Sequence, residues 1–242
     1  MRFLIIGHPE TYQVGCHFRT AAEELGWEVE IIDAQRGRSR NIWINRFFNR
    51  LCQRRPAYLG TFSKQVDEQC RRWKPDLLLA TGVAPISGRT LETIRCRGTM
   101  SANFLTDDPW NPCNGAAFFW DSLKQYDLVV SPRRSNIEDL RTHGCRRVRY
   151  LPFGYDSGQH FIEVDATDDE LRRFRCEVAI LGGADQDRIP LAKALGGAGF
   201  DLALYGAYWD RDPDLRRYYR GFTFGRDLRL AVSLATCQVC MG

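Results

Sequence analysis

Glu177-Val178-Ala179-Ile180-Leu181-Gly182-Gly183-Ala184-Asp185 decides how this chain reads. It is a short apolar run closing on two glycines, and a helical pattern follows over residues 186–198. A strand that turns through Gly-Gly into a helix has the geometry of a phosphate cradle. The glycines let the backbone approach an anion, and the helix N-terminus points free N–H groups at it. Everything before this stretch reads as a complete α/β domain, and everything after it as the start of a second.

Upstream, strands and helices alternate. Residues 2–6 form an apolar run that Gly7-His8-Pro9 breaks. Residues 13–25 then carry Val14, Phe18, Ala21, Ala22 and Leu25 on one helical stripe, and Gly26 closes it. A strand over 28–32 completes a βαβ unit, so a right-handed crossover and a parallel sheet are expected. Helical patterns follow at 41–54, which is rich in arginine and aromatic residues, and at 61–73. Residues 77–80 read as a strand buried on both faces. A short helix capped by Ser87 follows, then a strand over 99–105. The loop Thr106-Asp107-Asp108-Pro109-Trp110-Asn111-Pro112 lies at that strand's C-terminal end. Helices at 116–124 and 135–143, with strands at 127–130 and 147–151, finish this half. The βα alternation implies a doubly wound sheet with helices on both faces. The expected domains are 1–153, a linker over 154–175 that is turn-rich and then acidic, and 176–242. The last contains strands at 200–205 and 237–241 and a helix at 226–235; three strands leave its sheet incomplete.

The totals set limits. A chain of 242 residues buries a sizeable core as one large or two modest domains. A net charge of +4, from 34 basic and 30 acidic residues, does not argue for nucleic acid. The arginines bunch at 36–55 and 133–149, where they read either as solvated helix faces or as partners for phosphate or acidic lipid. The N-terminal apolar run is too short for a secretory or membrane-spanning segment. With nine scattered cysteines, a reduced, cytoplasmic setting is expected, the thiols acting mainly as small buried apolar groups. Cys237-x-x-Cys240 has no second pair or histidine partner, so no metal site is expected.

Four segments together resemble the GT-B glycosyltransferases of the spore-maturation, CgeB-like type. They are Phe104-Leu105-Thr106-Asp107-Asp108-Pro109, then Leu151-Pro152-Phe153-Gly154-Tyr155-Asp156 with His160-Phe161, then Val178 to Gly183, and Tyr205-Gly206-Ala207-Tyr208-Trp209. The resemblance implies α/β architecture with two Rossmann-like doubly wound parallel-sheet domains, the second incomplete. It implies that the first domain holds the acceptor, a glycan or small molecule, and the second the nucleotide-sugar donor. Such enzymes work without a bound metal or other cofactor, using helix dipoles and basic side chains on the leaving diphosphate. Members of the family continue beyond the point matched by Gly242, so the sequence reads as about two-thirds of the family's length. On that reading the chain is a truncated form whose activity is in question, or half of a split enzyme.

The candidate catalytic residues are Asp107, Asp108 and His8, all in loops at the C-terminal ends of strands, where open α/β sheets hold ligands. A carboxylate or imidazole there suits a base that takes an acceptor hydroxyl's proton. Asp-Asp-Pro reads equally as a turn in which one aspartate caps local N–H groups, and His8 as a surface residue. The candidate donor-binding residues are Gly182, Gly183, Arg188 and Gly206. Arg188, in the first turn of the helix, is placed to meet a phosphate or is an ordinary exposed arginine. Gly206 with Trp209 borders a nucleotide base or makes a tight strand exit. Asp185 reads as a helix cap. Beside the transferase stand two alternatives: a non-catalytic binding module whose unpaired strand edge invites a protein partner, and a protein like the sugar-nucleotide epimerases. A dinucleotide-binding oxidoreductase is disfavoured, because Gly7-His8-Pro9 lacks the G-x-G-x-x-G spacing.

Overall fold

The computed structural model describes residues 1–111 and 115–240. Pro112 and Met241, assigned above to a loop and to the last strand, lie outside the described residues. The chain divides into two compact units, Met1–Gly154 and Tyr155–Gly242.

In the first unit the elements run β1 (Arg2–Gly7), α1 (Val14–Glu24), β2 (Glu28–Asp33), α2 (Ile42–Leu51), α3 (Leu59–Trp73), β3 (Leu77–Thr81), α4 (Gly88–Cys96), β4 (Met100–Phe104), α5 (Ala117–Leu123), β5 (Leu128–Ser131), α6 (Asn136–Thr142) and β6 (Val148–Tyr150). The six strands are all parallel, in the order β2-β1-β3-β4-β5-β6. Side chains alternate across a strand, so β1 feeds both faces of its sheet. Leu4 and Ile6 join Phe62, Val66, Leu91 and Phe119 on one face; Phe3 and Ile5 join Ala22, Ala102 and Phe104 on the other. Phe3, Leu4, Ile5 and Ile6 are all buried, as a strand covered on both faces by helices requires. Ser87 caps α4 by accepting the Thr90 N–H at 3.3 Å.

The second unit contains α7 (Asp168–Phe174), β7 (Cys176–Leu181), α8 (Arg188–Gly197), β8 (Leu202–Tyr205), α9 (Gly225–Ser233) and β9 (Ala235–Val239). Its sheet is parallel, in the order β8-β7-β9. Ala235 begins the last strand, whereas the helical reading extended that far. Val178 and Ile180 face Ala192, Leu204 and Trp209; Cys176 and Ala179 face Phe174, Leu230 and Ala231.

Within the stretch expected as a linker, residues 168–174 form α7. Thr167 and Glu170 form a capping box that starts α7, and Phe174 is buried in the core. The segment before α7 is held to α9 by two arginines. Arg226 bonds Glu163, Glu170 and the Asp165 carbonyl, while Arg229 donates to Glu163 Oε2 at 2.7 Å and lies over the Phe161 ring. Ser233 Oγ accepts the Glu163 N–H at 2.9 Å.

The Arg226 guanidinium, aided by the Thr167 backbone, holds the Glu170 carboxyl down at about 2 from an ordinary value of 4.5. A carboxyl depressed in the folded state stabilises it above the unfolded value and loses that contribution as pH falls toward the folded one. Arg226→Gln is therefore expected to lower the melting temperature at neutral pH. The gap from the wild type should narrow between pH 4.5 and pH 2. Thermal melts across that range check this; a gap independent of pH would refute the attribution.

Candidate functional site

Open parallel sheets hold ligands outside the carboxyl ends of the strands, where the strand order reverses. In the first unit the chain leaves β1 for β2 on one side and returns to β3 on the other. The reversal therefore falls between β1 and β3. A cavity of about 850 Å³ opens at that edge. His8 enters it from the end of β1, Thr81 and Gly82 from β3, and Thr106 and Asp107 from the loop after β4. Gly7 is what allows β1 to pass there, since a Cβ at that position would lie 2.5 Å from Thr81 Oγ1. Arg38, and Arg50 and Arg54 from α2 and its exit, line the cavity as well.

The structure separates the two aspartates. Asp107 is exposed and lines the cavity, and its Oδ2 accepts the Thr106 hydroxyl at 2.9 Å. Asp108 Oδ1 accepts the Trp110 N–H at 3.1 Å and Asn136 Nδ2 at 3.2 Å, which ties the loop to α6. His8 Nδ1 stands 3.6 Å from Asp33 Oδ1 at the end of β2. Thr81, Thr106 and the three arginines escaped residue-level reading. Only the arginine bunching over 36–55 hinted at the last group.

In the second unit the order reverses between β7 and β9, again beside the unit's first strand. The Gly182-Gly183 turn leaves β7 at this point. Gly182 has φ +140° and Gly206 φ +119°, both in the region that favours glycine. The two loops are in backbone contact: a Cβ on Gly206 would lie 2.6 Å from the Gly182 carbonyl. Ala184 N–H donates to the Ala207 carbonyl at 2.8 Å, and Trp209 Nε1 donates to the Gly182 carbonyl at 2.8 Å. Trp209 is fully buried and Gly206 sits at a tight strand exit.

Arg188, the first residue of α8, folds back across this turn. Its Nη1 donates to the Gly183 carbonyl at 3.3 Å and pairs with Asp185 Oδ2. Asp185 Oδ1 also accepts the N–H groups of Asp187 and Arg188, at 3.1 and 2.8 Å, and so caps the helix. A carboxylate therefore already occupies this helix N-terminus, paired with the arginine there. Among the described residues no group of His, Cys, Asp and Glu could hold a metal ion, and Cys237 and Cys240 are both exposed. Cys16, Cys70, Cys145 and Cys176 are buried, whereas Cys96 is exposed. No described helix is long and apolar enough to cross a membrane.

The chain matches no protein-family model and no curated protein. Solved structures do share its fold. The trehalose-6-phosphate synthase of a study of glycosyl transfer with retention is 13% identical, with a TM-score of 0.57 over 96% of this chain and 75% of that one. A UDP-N-acetylglucosamine 2-epimerase from Rickettsia bellii is 10% identical, with a TM-score of 0.55 over 98% and 73%. The glycosyltransferase SnogD from Streptomyces nogalater is 16% identical, with a TM-score of 0.51 over 98% and 77%. The likeness is one of fold: α/β, with Rossmann-like parallel sheets of the GT-B kind.

The backbone contact beneath the Gly-Gly turn predicts opposite outcomes for two glycine substitutions. Gly206→Ala meets the Gly182 backbone in a conformation unsuited to an L-residue, and should cost about 2 kcal/mol or more. At Gly197, in the last turn of α8, an added Cβ meets nothing within 4 Å. Gly197→Ala should stabilise by a few tenths to about 1 kcal/mol. Denaturant titrations of both variants would measure the difference.

Proposed function

We propose that this protein transfers a glycosyl group from a nucleotide-sugar donor to an acceptor hydroxyl. The observation that carries the reading is the turn after β7: Gly-Gly at the reversal point of the second sheet, with Arg188 lying across it at a helix N-terminus. In this reading the donor's diphosphate takes Arg188 from Asp185 and lies against the Gly182-Gly183 backbone. A flat guanidinium matches phosphate oxygens through paired N–H donors. The fold likeness to glycosyltransferases and to a UDP-sugar epimerase supports a nucleotide-sugar site. The four sequence segments given above support the CgeB-like type within that fold.

The acceptor belongs in the first-unit cavity, with Asp107 or His8 as the base. The base takes the hydroxyl proton as the acceptor oxygen bonds to the anomeric carbon. The bond from that carbon to the phosphate oxygen breaks, and the nucleoside diphosphate departs with its electron pair. Arg188 and the positive end of α8 stabilise the charge that develops on it. Epimerisation of the sugar nucleotide is the second reading, favoured by the fold likeness to a 2-epimerase.

Calorimetric titration with UDP, GDP and dTDP tests the donor site. One of the three should bind, and Arg188→Gln should weaken it about tenfold, the loss of one charge-assisted contact. Asp185→Asn removes the competing carboxylate charge and should tighten binding of the same diphosphate. Absence of binding by all three with the protein folded, or equal effects of both substitutions, would defeat the reading. Product analysis with the bound nucleotide's sugar then separates transfer from epimerisation.

A further inference from the structure

Helices on the surface of an α/β unit normally bury one apolar stripe against the sheet. The helix α2 (Ile42–Leu51) does not: none of its residues is buried. Ile42, Trp43, Phe47 and Leu51 are 59, 70, 54 and 68% exposed. At helical spacing Trp43, Ile44, Phe47, Phe48 and Leu51 share one face, and Asn45, Arg46 and Asn49 fall on the other. The element is nonetheless well anchored. Asn41 caps it by accepting the Trp43 N–H at 2.9 Å. Asn45 and Ser39 exchange two hydrogen bonds, which fixes its polar side. The helix therefore displays a preformed apolar face.

Its charge is as one-sided as its hydrophobicity. Seven arginines lie between Arg36 and Arg55, and no aspartate or glutamate occurs from residue 34 to residue 66. None of the seven makes an ion pair among the described residues, although the second unit's Arg173, Arg188, Arg220, Arg226 and Arg229 all do. Arg46 lies over the Trp43 ring at 5.0 Å, so its stem runs beside the apolar face while its charge stays at the rim.

We infer that α2 is a membrane-docking element that seats in the interface of an anionic lipid surface. Indole and phenyl rings favour the boundary between headgroups and acyl chains, and an amphipathic helix rimmed by arginines lies in that plane without crossing it. Each arginine near a negatively charged leaflet adds attraction. Charge complementarity selects lipid over a neutral apolar partner or a second copy of the same basic face. Asn49 on the polar side of the helix and Arg50 at the rim of its apolar face line the first-unit cavity. A lipid surface under the apolar face would therefore run alongside that cavity.

Co-sedimentation of the full chain with vesicles tests this directly. Vesicles of equal parts phosphatidylglycerol and phosphatidylcholine should retain the protein, and phosphatidylcholine alone should not. Binding should weaken as salt rises. The Trp43→Ser, Phe47→Ser double variant should lose about tenfold or more in partitioning, with an unchanged melting temperature because both side chains are exposed. Trp43 fluorescence should shift to the blue on binding, and Trp43→Phe should remove that component. Equal binding to both vesicle types, or undiminished binding by the double variant, would overturn the proposal. So would a lowered melting temperature, which would mean that the face packs on the chain itself. A dimer that the double variant converts to monomer would assign the face to a second copy and overturn it as well.

Discussion

The backbone contact between Gly206 and the Gly182 carbonyl is the constraint on which the second unit's arrangement depends. Parallel strands bring β7 and β8 side by side, so their exit loops must pass at the same edge. Only a residue without a Cβ at position 206 lets them pass this closely. Once they do, Ala184 and Ala207 pair and Trp209 reaches under the turn to the Gly182 carbonyl. That carbonyl and the buried indole satisfy each other, and an orphaned partner in the interior would cost more than the bond itself contributes. The position of α8, and hence of Arg188 and Asp185, follows from this packing.

Both units share one arrangement. In each, the first strand lies between the second on one side and the third on the other. The reversal of strand order then falls beside the first strand's exit, and both candidate regions lie there: His8 beyond β1 and Gly182-Gly183 beyond β7. What differs is the chemistry. The first unit offers a polar cavity with several side chains converging on it. The second offers backbone, a helix terminus and one arginine–aspartate pair.

Much of this was legible in the sequence because the local signals agreed. Apolar runs marked β1, β3 and β7; Gly26 closed α1; Ser87 and Asp185 each capped the helix they precede. The less legible parts depend on distant partners. Nothing local distinguishes Asp107 from Asp108, since Asp108 is drawn to Asn136 on α6. The arginine cluster was visible as composition, but which arginines reach the cavity depends on how α2 is anchored through Asn45 and Ser39. One signal was present and outweighed. Thr167 with Glu170 is a capping-box pattern, and it announced α7 within a stretch whose acidity suggested a linker. At the far end, a short apolar run after α9 did not distinguish a last helical turn from a strand. Pairing with β7 settled it at Ala235.

The place of β1 between β2 and β3 also has a consequence for biogenesis. Phe3 to Ile6 leave the ribosome before either of their partner strands, and β2 covers one edge soon afterwards. The other edge waits for β3, where Leu77 meets Phe3 and Ala80 meets Ile6. At roughly 5–20 residues per second, that interval lasts several seconds. During it one edge of a wholly apolar strand stays unpaired, open to solvent or to a chaperone. The segment synthesised in the meantime is the arginine-rich stretch around α2. Its dense positive charge keeps neighbouring nascent chains apart, as gatekeeper residues do beside an unavoidable sticky strand. The composition that arms the mature surface would thus also protect the chain while it is being made.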